Sequence, residues 1–307
     1  MTLDPVQRTH YGYRFELDFL KAQAQAFEDL FNRIMAHRYQ SDFQPVRAYG
    51  NQGDKKSDGY LTREKTVFQC YGPKTTKQSE MLAKIDDDYA GARKHWGERM
   101  RRWRFVHNDH EGLPPDVVQR LTDLNNNDDP VDVDAFGYAE LRERVFELTL
   151  QQLEDLFGFA PTRSALDGLD FEALRPVLEA IARSEPPPTP PLMAPTAEKL
   201  SKNDISKDAA DLLRQGRGRQ RLVEAFFGSY PDPDFGEEIA QGFRDRYAIL
   251  KGQDATPDKI FTELQTFAGG MEGSPQRQAA VLAVLSYFFD SCDIFEDDLD
   301  ARLESGA

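Results

Sequence analysis

The run SEPPPTPPLMAP, Ser184 to Pro195, constrains what this chain can fold into more than any other stretch. Proline has no amide hydrogen to donate and its ring collides with the preceding turn, so the run can continue neither a helix nor a central strand. It reads as an extended spacer that divides the chain into residues 1–183, the spacer 184–195, and residues 196–307. With 307 residues and 39% hydrophobic content, both flanks have apolar material for a core of their own.

Before the spacer the periodicities alternate. Phe15 to Arg38 predicts one helix, with Phe27, Leu30, Phe31 and Ile34 on a buried stripe. Two β-prone runs, Asp54–Leu61 and Thr66–Tyr71, flank a turn at Thr62–Lys65 and predict a hairpin. A basic helix from Lys77, a strand RWRFVHN ending at Asn108, and a helix after Leu113-Pro114-Pro115 follow. A short VDVDAFG segment and one long helix, Tyr138 to Phe157, close an α/β set. Beyond the spacer only helices are predicted, giving an all-α C-terminal assembly domain. Thr256-Pro257-Asp258 opens one helix that Gly269-Gly270 ends, and Ser274-Pro275 opens the next. That last helix, QRQAAVLAVLSYFFDS, is apolar over more than one stripe, which predicts burial against two layers, one of them open to another chain.

Composition excludes several classes. Cys70 and Cys292 stand far apart with no second thiol near either, so no disulfide framework or zinc knuckle can be drawn, and a reducing cytoplasm is expected. The start has no charged region followed by an apolar run, and nowhere do about 18 apolar residues follow one another. A net charge of −15 opposes indiscriminate binding to a polyanion. Any nucleic-acid contact is therefore local, and RKHWGERMRRWR, Arg93 to Arg104, reads either as a basic aromatic surface or as a solvated helix face with Trp96 and Trp103 as core anchors.

The chemistry concentrates in the hairpin. Residues two apart on a strand share a face, so Asp54, Lys56 and Asp58 point one way if the extended backbone reaches past Gly53, as do Gln69 and Tyr71 on the next strand. A turn centred between Arg63 and Glu64 sets Asp58 opposite Gln69 and Lys56 opposite Tyr71. Two carboxylates and an amide oxygen are hard ligands suited to Mg²⁺ or Mn²⁺ with waters completing the shell. Glu28, beside Phe27 on the preceding helix, is a further ligand or proton relay. A lysine beside the attacking water would orient it and offset charge building on phosphorus.

These residues resemble the PD-(D/E)xK nuclease superfamily, in its Mrr-like restriction branch: Phe27-Glu28 on a helix, the strand start Gly53 to Gly59, then a strand with Gln69. The resemblance implies an α/β restriction-endonuclease-like fold and a metal-dependent cut in double-stranded DNA. Tyr71 stands where the superfamily has lysine, and a phenol with a pKa of roughly 10 carries no fixed positive charge. Lys56, Lys74 and Lys55 are the candidates for the displaced cation, Lys56 first. Gln276 to Asp297 and Lys65 to Lys74 are also similar to effector subunits of ABC-three-component (Lamassu-type) anti-phage systems. That likeness implies an SMC-like ABC ATPase and a small middle subunit as partners, with activity on release and self-association as a homo-oligomer. The alternative is a catalytically inactive nuclease fold that binds DNA or serves as a scaffold.

Other motifs read blandly. His107 and His110 lack a third ligand, DLNNNDDPVDVD lacks the sixth-position glycine and twelfth-position glutamate of a calcium loop, and the basic run Arg214 to Arg221 reads as a solvated helix end. Cys292 reads as a buried structural thiol.

Overall fold

A computed structural model describes residues 3–47, 56–75, 77–126, 130–182, 205–269, 273–291 and 294–295. Two compact units result, one of residues 15–156 and one of residues 1–14 with 157–307.

The first unit holds a five-stranded sheet in the order β1-β2-β3-β4-β5, with β1 at Phe43–Pro45, β2 at Gly59–Leu61, β3 at Thr66–Tyr71, β4 at Arg102–His107 and β5 at Asp132–Phe136. The first three strands form an antiparallel meander, and β3, β4 and β5 run parallel. Parallel neighbours need a crossover. Helices α3 (Gln78–Trp96) and α4 (Pro115–Asn125) supply the two crossovers, and both pack on the sheet face that carries Val67, Trp103 and Phe105. The opposite face is covered by α2 (Gln25–Tyr39), whose Phe31 meets Phe43, Phe68 and Phe136 edge-on or tilted.

The strand expected at Thr66–Tyr71 is present, the one expected to end at Asn108 ends at His107, that expected over Asp54–Leu61 is Gly59–Leu61 among the described residues, and the hairpin has the expected register, with Tyr60 opposite Val67 and Leu61 opposite Thr66. β1 carried too short a pattern to be read. The single helix expected over Phe15–Arg38 is two: α1 (Pro5–Lys21) stops, Ala24 takes a left-handed φ of 47°, and α2 begins. The break frees the Ala24 amide to donate to the Gly72 carbonyl at 2.5 Å, and Asn108 Nδ2 donates to the Ala22 carbonyl. The break is thereby tied to the chain just after β3 and β4. The helix expected over Tyr138–Phe157 is likewise two, α5 (Tyr138–Phe146) and α6 (Leu150–Phe157), because Thr149 and Gln152 cap the second start reciprocally. The basic run Arg93–Arg104 is a helix end, a turn and a strand, and Trp103 is a fully buried core residue of β4.

The second unit is helical: α7 (Arg163–Asp167), α8 (Phe171–Ala182), α9 (Lys207–Arg217), α10 (Gln220–Ser229), α11 (Phe235–Gly252), α12 (Pro257–Phe267) and α13 (Pro275–Asp290). Thr256 and Ser274 cap α12 and α13 through their hydroxyls, as their sequence pattern predicts. The expected boundary at residue 183 differs from the observed division. Helices α7 and α8, which precede the prolines, pack on α13 together with α9, α10 and α12. This packing also answers the apolar breadth of α13: Ala279 to Phe289 is covered by helices of the same chain, so its burial needs no second copy. The spacer lies outside the described residues. Among the described residues no helix is long and apolar enough to cross a membrane.

Candidate active site

Asp58 lies where β2 begins. Its amide donates to the Phe68 carbonyl at 2.8 Å and its carbonyl accepts from Val46 at 3.1 Å, so the backbone is fixed between β1 and β3. Its carboxylate is buried and turned onto β3: one oxygen accepts from Gln69 Nε2 at 2.8 Å and from the Cys70 amide at 2.6 Å. The amide of Gln69 is spent on this carboxylate, which leaves Gln69 Oε1 buried without a hydrogen-bond partner. Buried polar oxygens are rarely left so, and an unmatched acceptor beside a carboxylate is the electronic character a cation requires. The predicted facing of Asp58 and Gln69 is thus present in atomic detail.

Glu28 sits in the first turn of α2. Gly72 lets α2 approach, since a Cβ at that position would stand 2.7 Å from the Phe27 ring. Burial pushes the Cys70 thiol well up, and the carboxylates of Asp58 and Glu28 push it further, so both acids bear on the same strand. Asp58 and Gln69 Oε1 offer a carboxylate and an amide oxygen of the kind a hard cation takes, with Glu28 in electrostatic reach of the neighbouring Cys70. Among the described residues no three His, Cys, Asp or Glu side chains converge. Asp54, the other ligand candidate, lies outside the described residues, as does Lys55.

The lysine expectation needs correction. Antiparallel pairing stops at Gly59, Lys56 takes a left-handed φ of 56°, and its ammonium leaves the strand for α3 instead of standing opposite Tyr71. There it pairs with Asp87 and, at 3.1 Å, with Asp88. Asp88 is fully buried and also holds Lys84 at 2.8 Å. The hydrogen bond to Asp87, helped by Asp88 and opposed by partial burial, holds the Lys56 pKa above the usual lysine value. Gly91 makes room for the stem, because a Cβ there would lie 2.5 Å from Lys56 Cγ. None of Lys84, Asp87, Asp88 and Gly91 was singled out from sequence. A signal existed: Met81, Ile85 and Ala92 define the buried stripe of α3, and Asp88 falls on it, a carboxylate where the period demands an apolar residue.

Tyr71 is half-buried and stacked on Phe105 at 5.6 Å. Desolvation, with Glu80 adding and Lys77 opposing, raises its phenol, so it is neutral at pH 7 and donates a hydrogen bond at most. Lys74 is exposed in the loop after Pro73. His107, buried at the end of β4, is kept neutral mainly by desolvation, and His110 stands 3.5 Å from Glu16. In the basic run Arg214 to Arg221, Arg214 pairs with Asp211, Arg217 with Asp290 and Arg219 with Asp167.

Residues 172–296 match a family described as C-terminal domain 10 of the ABC-three component (ABC-3C) systems. The match supports membership of the chain in such a multi-component system, with partner subunits. It begins at α8, ahead of the prolines, in keeping with the packing of α8 on α13. No curated protein and no solved structure matches the chain.

Proposed function

We propose that the chain is the metal-dependent DNA nuclease subunit of an ABC-three-component anti-phage system, held by an SMC-like ABC ATPase and a small middle subunit until released. The observation that carries this reading is the buried Asp58–Gln69 pair, in which Gln69 Oε1 has no hydrogen-bond partner. A five-stranded sheet in which a helix precedes a meander and a crossover helix leads to a parallel strand is compatible with a restriction-endonuclease-like fold. The matched C-terminal domain supports the defence setting.

Asp58 and Gln69 would hold Mg²⁺ or Mn²⁺, with Glu28 as a third donor or as the acceptor of the proton lost by the attacking water. When bound, the metal supplies an activated water and compensates charge on the scissile phosphate. Asp58 is pinned by the Cys70 amide and Gln69 Nε2, which donate to its carboxylate, and by the Phe68 carbonyl, which accepts from its amide, so its orientation is set before any ligand arrives. Lys56 is engaged by Asp87 and Asp88 of α3, so the neutral Tyr71 hydroxyl would be the hydrogen-bond donor to phosphate oxygen.

The test is cleavage of supercoiled plasmid by the purified chain in Mg²⁺ and in Mn²⁺, beside Asp58→Ala and Gln69→Ala, with metal binding read by calorimetry. Loss of cleavage and of metal affinity in both variants supports the reading. Equal cleavage by Asp58→Ala removes the site assignment. A second reading, a nuclease fold that binds DNA or scaffolds without cutting, is favoured by Tyr71 and by the occupation of Lys56 with Asp87 and Asp88. It predicts DNA binding with neither tight Mn²⁺ binding nor nicking.

A further inference from the structure

A second polar feature lies at the other end of β3, away from Gln69. Lys65 closes the hairpin turn at a left-handed φ of 53°, and its carbonyl accepts the amides of Arg101 at 2.9 Å and Arg102 at 3.2 Å. The turn is thus bound to the start of β4. Gly97, at φ 51°, ends α3 and bends the chain across the same spot. Between them opens a groove of about 490 Å³ lined by Lys65, Arg93, Gly97, Glu98, Arg101 and Pro130 among others.

The cations here are spent differently from those elsewhere in the sheet unit. Lys65 Nζ donates to the carbonyl of Glu98 at 3.5 Å, and the Arg99 guanidinium donates to the carbonyls of Trp96 and His95. A carbonyl orients a cation without cancelling its charge. Among the described residues no carboxylate forms an ion pair with Arg101. Next door, Arg102 is paired with Glu64 and Asp132, and Arg104 with Asp132. Glu98 is the one acidic side chain among the described lining residues. In a chain of net charge −15, the described lining of this cleft is locally basic, with Lys65 and Arg101 in no ion pair among the described residues, and clefts focus such fields.

We propose that this groove binds the phosphodiester backbone of a nucleic-acid strand. The inference rests on the nuclease reading for its purpose, since Lys65, in the turn that leads into β3, is four residues from Gln69. At roughly 3.3 Å per residue that is about 13 Å, or about four nucleotide steps of duplex DNA at roughly 3.4 Å each. A strand seated in the groove is held within a fraction of a helical turn of the Asp58–Gln69 pair.

The experiment uses the full chain carrying Asp58→Ala, without metal, and a short fluorescein-labelled DNA duplex, with anisotropy titrations over a series of salt concentrations. Reversal of Lys65 and Arg101 to glutamate is expected to weaken binding and to reduce the slope of log affinity against log salt by about 2, close to one per lost phosphate contact. Arg221→Glu, an exposed reversal in the helical unit, is expected to leave the slope unchanged. No binding by the parent chain, an unchanged slope in the double reversal, or an equal loss in Arg221→Glu would each overturn the proposal. A parent chain with native Asp58 that binds through the groove but does not nick plasmid would instead remove the nuclease reading and leave the groove standing. A matching titration with single-stranded RNA tells which phosphodiester the groove prefers.

Discussion

Lys56 places its ammonium 3.1 Å from Asp88, a carboxylate with no solvent exposure, and shares it with Lys84 at 2.8 Å. One cation is enough to neutralise a buried carboxylate, and here two compete for it. Asp88 therefore fixes the segment that leads, two residues later, into Asp58, and it does so from a helix outside the hairpin. Replacing Asp88 by alanine takes the buried carboxylate from Lys84 and leaves Lys56 with Asp87, and is expected to cost about 2 kcal/mol, less than the loss of a fully buried pair because the lysines can turn to water. Urea denaturation measures the loss. Gly91→Ala attacks the same contact sterically, and amine-reactive labelling read by mass spectrometry should show Lys56 more reactive in both variants than in the native chain. Unchanged Lys56 labelling in both would show that the cradle does not hold it.

The Asp58–Gln69 contact makes a separate prediction. Gln69→Glu sets a second carboxylate against Asp58 and exchanges a hydrogen bond of 2.8 Å for repulsion. Like charges so close cannot both ionise without cost, so this variant should be destabilised at pH 7 by about 1–3 kcal/mol and recover as the pair takes up a proton at lower pH. Mg²⁺ should restore its melting temperature at pH 7, and EDTA should abolish the recovery. A Gln69→Glu melting temperature that ignores Mg²⁺ would count against metal binding at this pair.

How much of this was open to the sequence depends on distance along the chain. The hairpin register is a local quantity fixed by the turn at Thr62–Lys65, and it places Asp58 against Gln69 as read from sequence. Lys56 follows the same arithmetic only while the strand stays extended, and its left-handed φ ends that. What captures it is Asp88, thirty-two residues away on α3, which no period-two argument reaches. The broken helix at Ala24 fails for the same reason: its apolar stripe continues, but the Ala24 amide finds its partner at Gly72, beyond β3. The boundary drawn at the prolines assumed that chain order is packing order, whereas α8 precedes them and packs on α13.

Acid sensitivity should come from two histidines. His10 on α1 is fully buried, and burial, with the Arg14 charge adding, lowers its pKa to about 3; desolvation lowers that of His107 as well. Both are neutral in the fold and gain a proton on unfolding once the pH is below about 6.5. Their contribution is complete above that value and is lost as pH falls from it toward the folded pKa, with a slope of up to about 1.4 kcal/mol per pH unit for each histidine. Between pH 5 and 6.5, before carboxylates take part, stability followed by urea titration should fall with pH. In His10→Phe the slope should be smaller. An unchanged slope would place the acid sensitivity elsewhere.

The helical unit turns on one close crossing. Gly216 of α9 meets α13 so tightly that a Cβ would stand 2.1 Å from Ser286 Oγ and 2.6 Å from the Leu282 carbonyl oxygen. Ser286 already donates to that carbonyl at 2.8 Å, so its hydroxyl cannot move aside without breaking a buried hydrogen bond, and the carbonyl is backbone. One residue on, Arg217 grips Asp290 with two bonds of 2.6 and 2.5 Å, which sets where along α13 the glycine docks. Gly216→Ala must then push the helices apart against that clamp, and overpacking of this kind costs about 1–3 kcal/mol. Alanine is the better helix former by roughly 1 kcal/mol, so a local propensity effect would act in the opposite direction. A lowered melting temperature for Gly216→Ala, together with weaker destabilisation when Ser286→Gly is added to relieve the contact, isolates the crossing as the cause. Additive effects of the two substitutions would mean that the helices do not meet at this glycine.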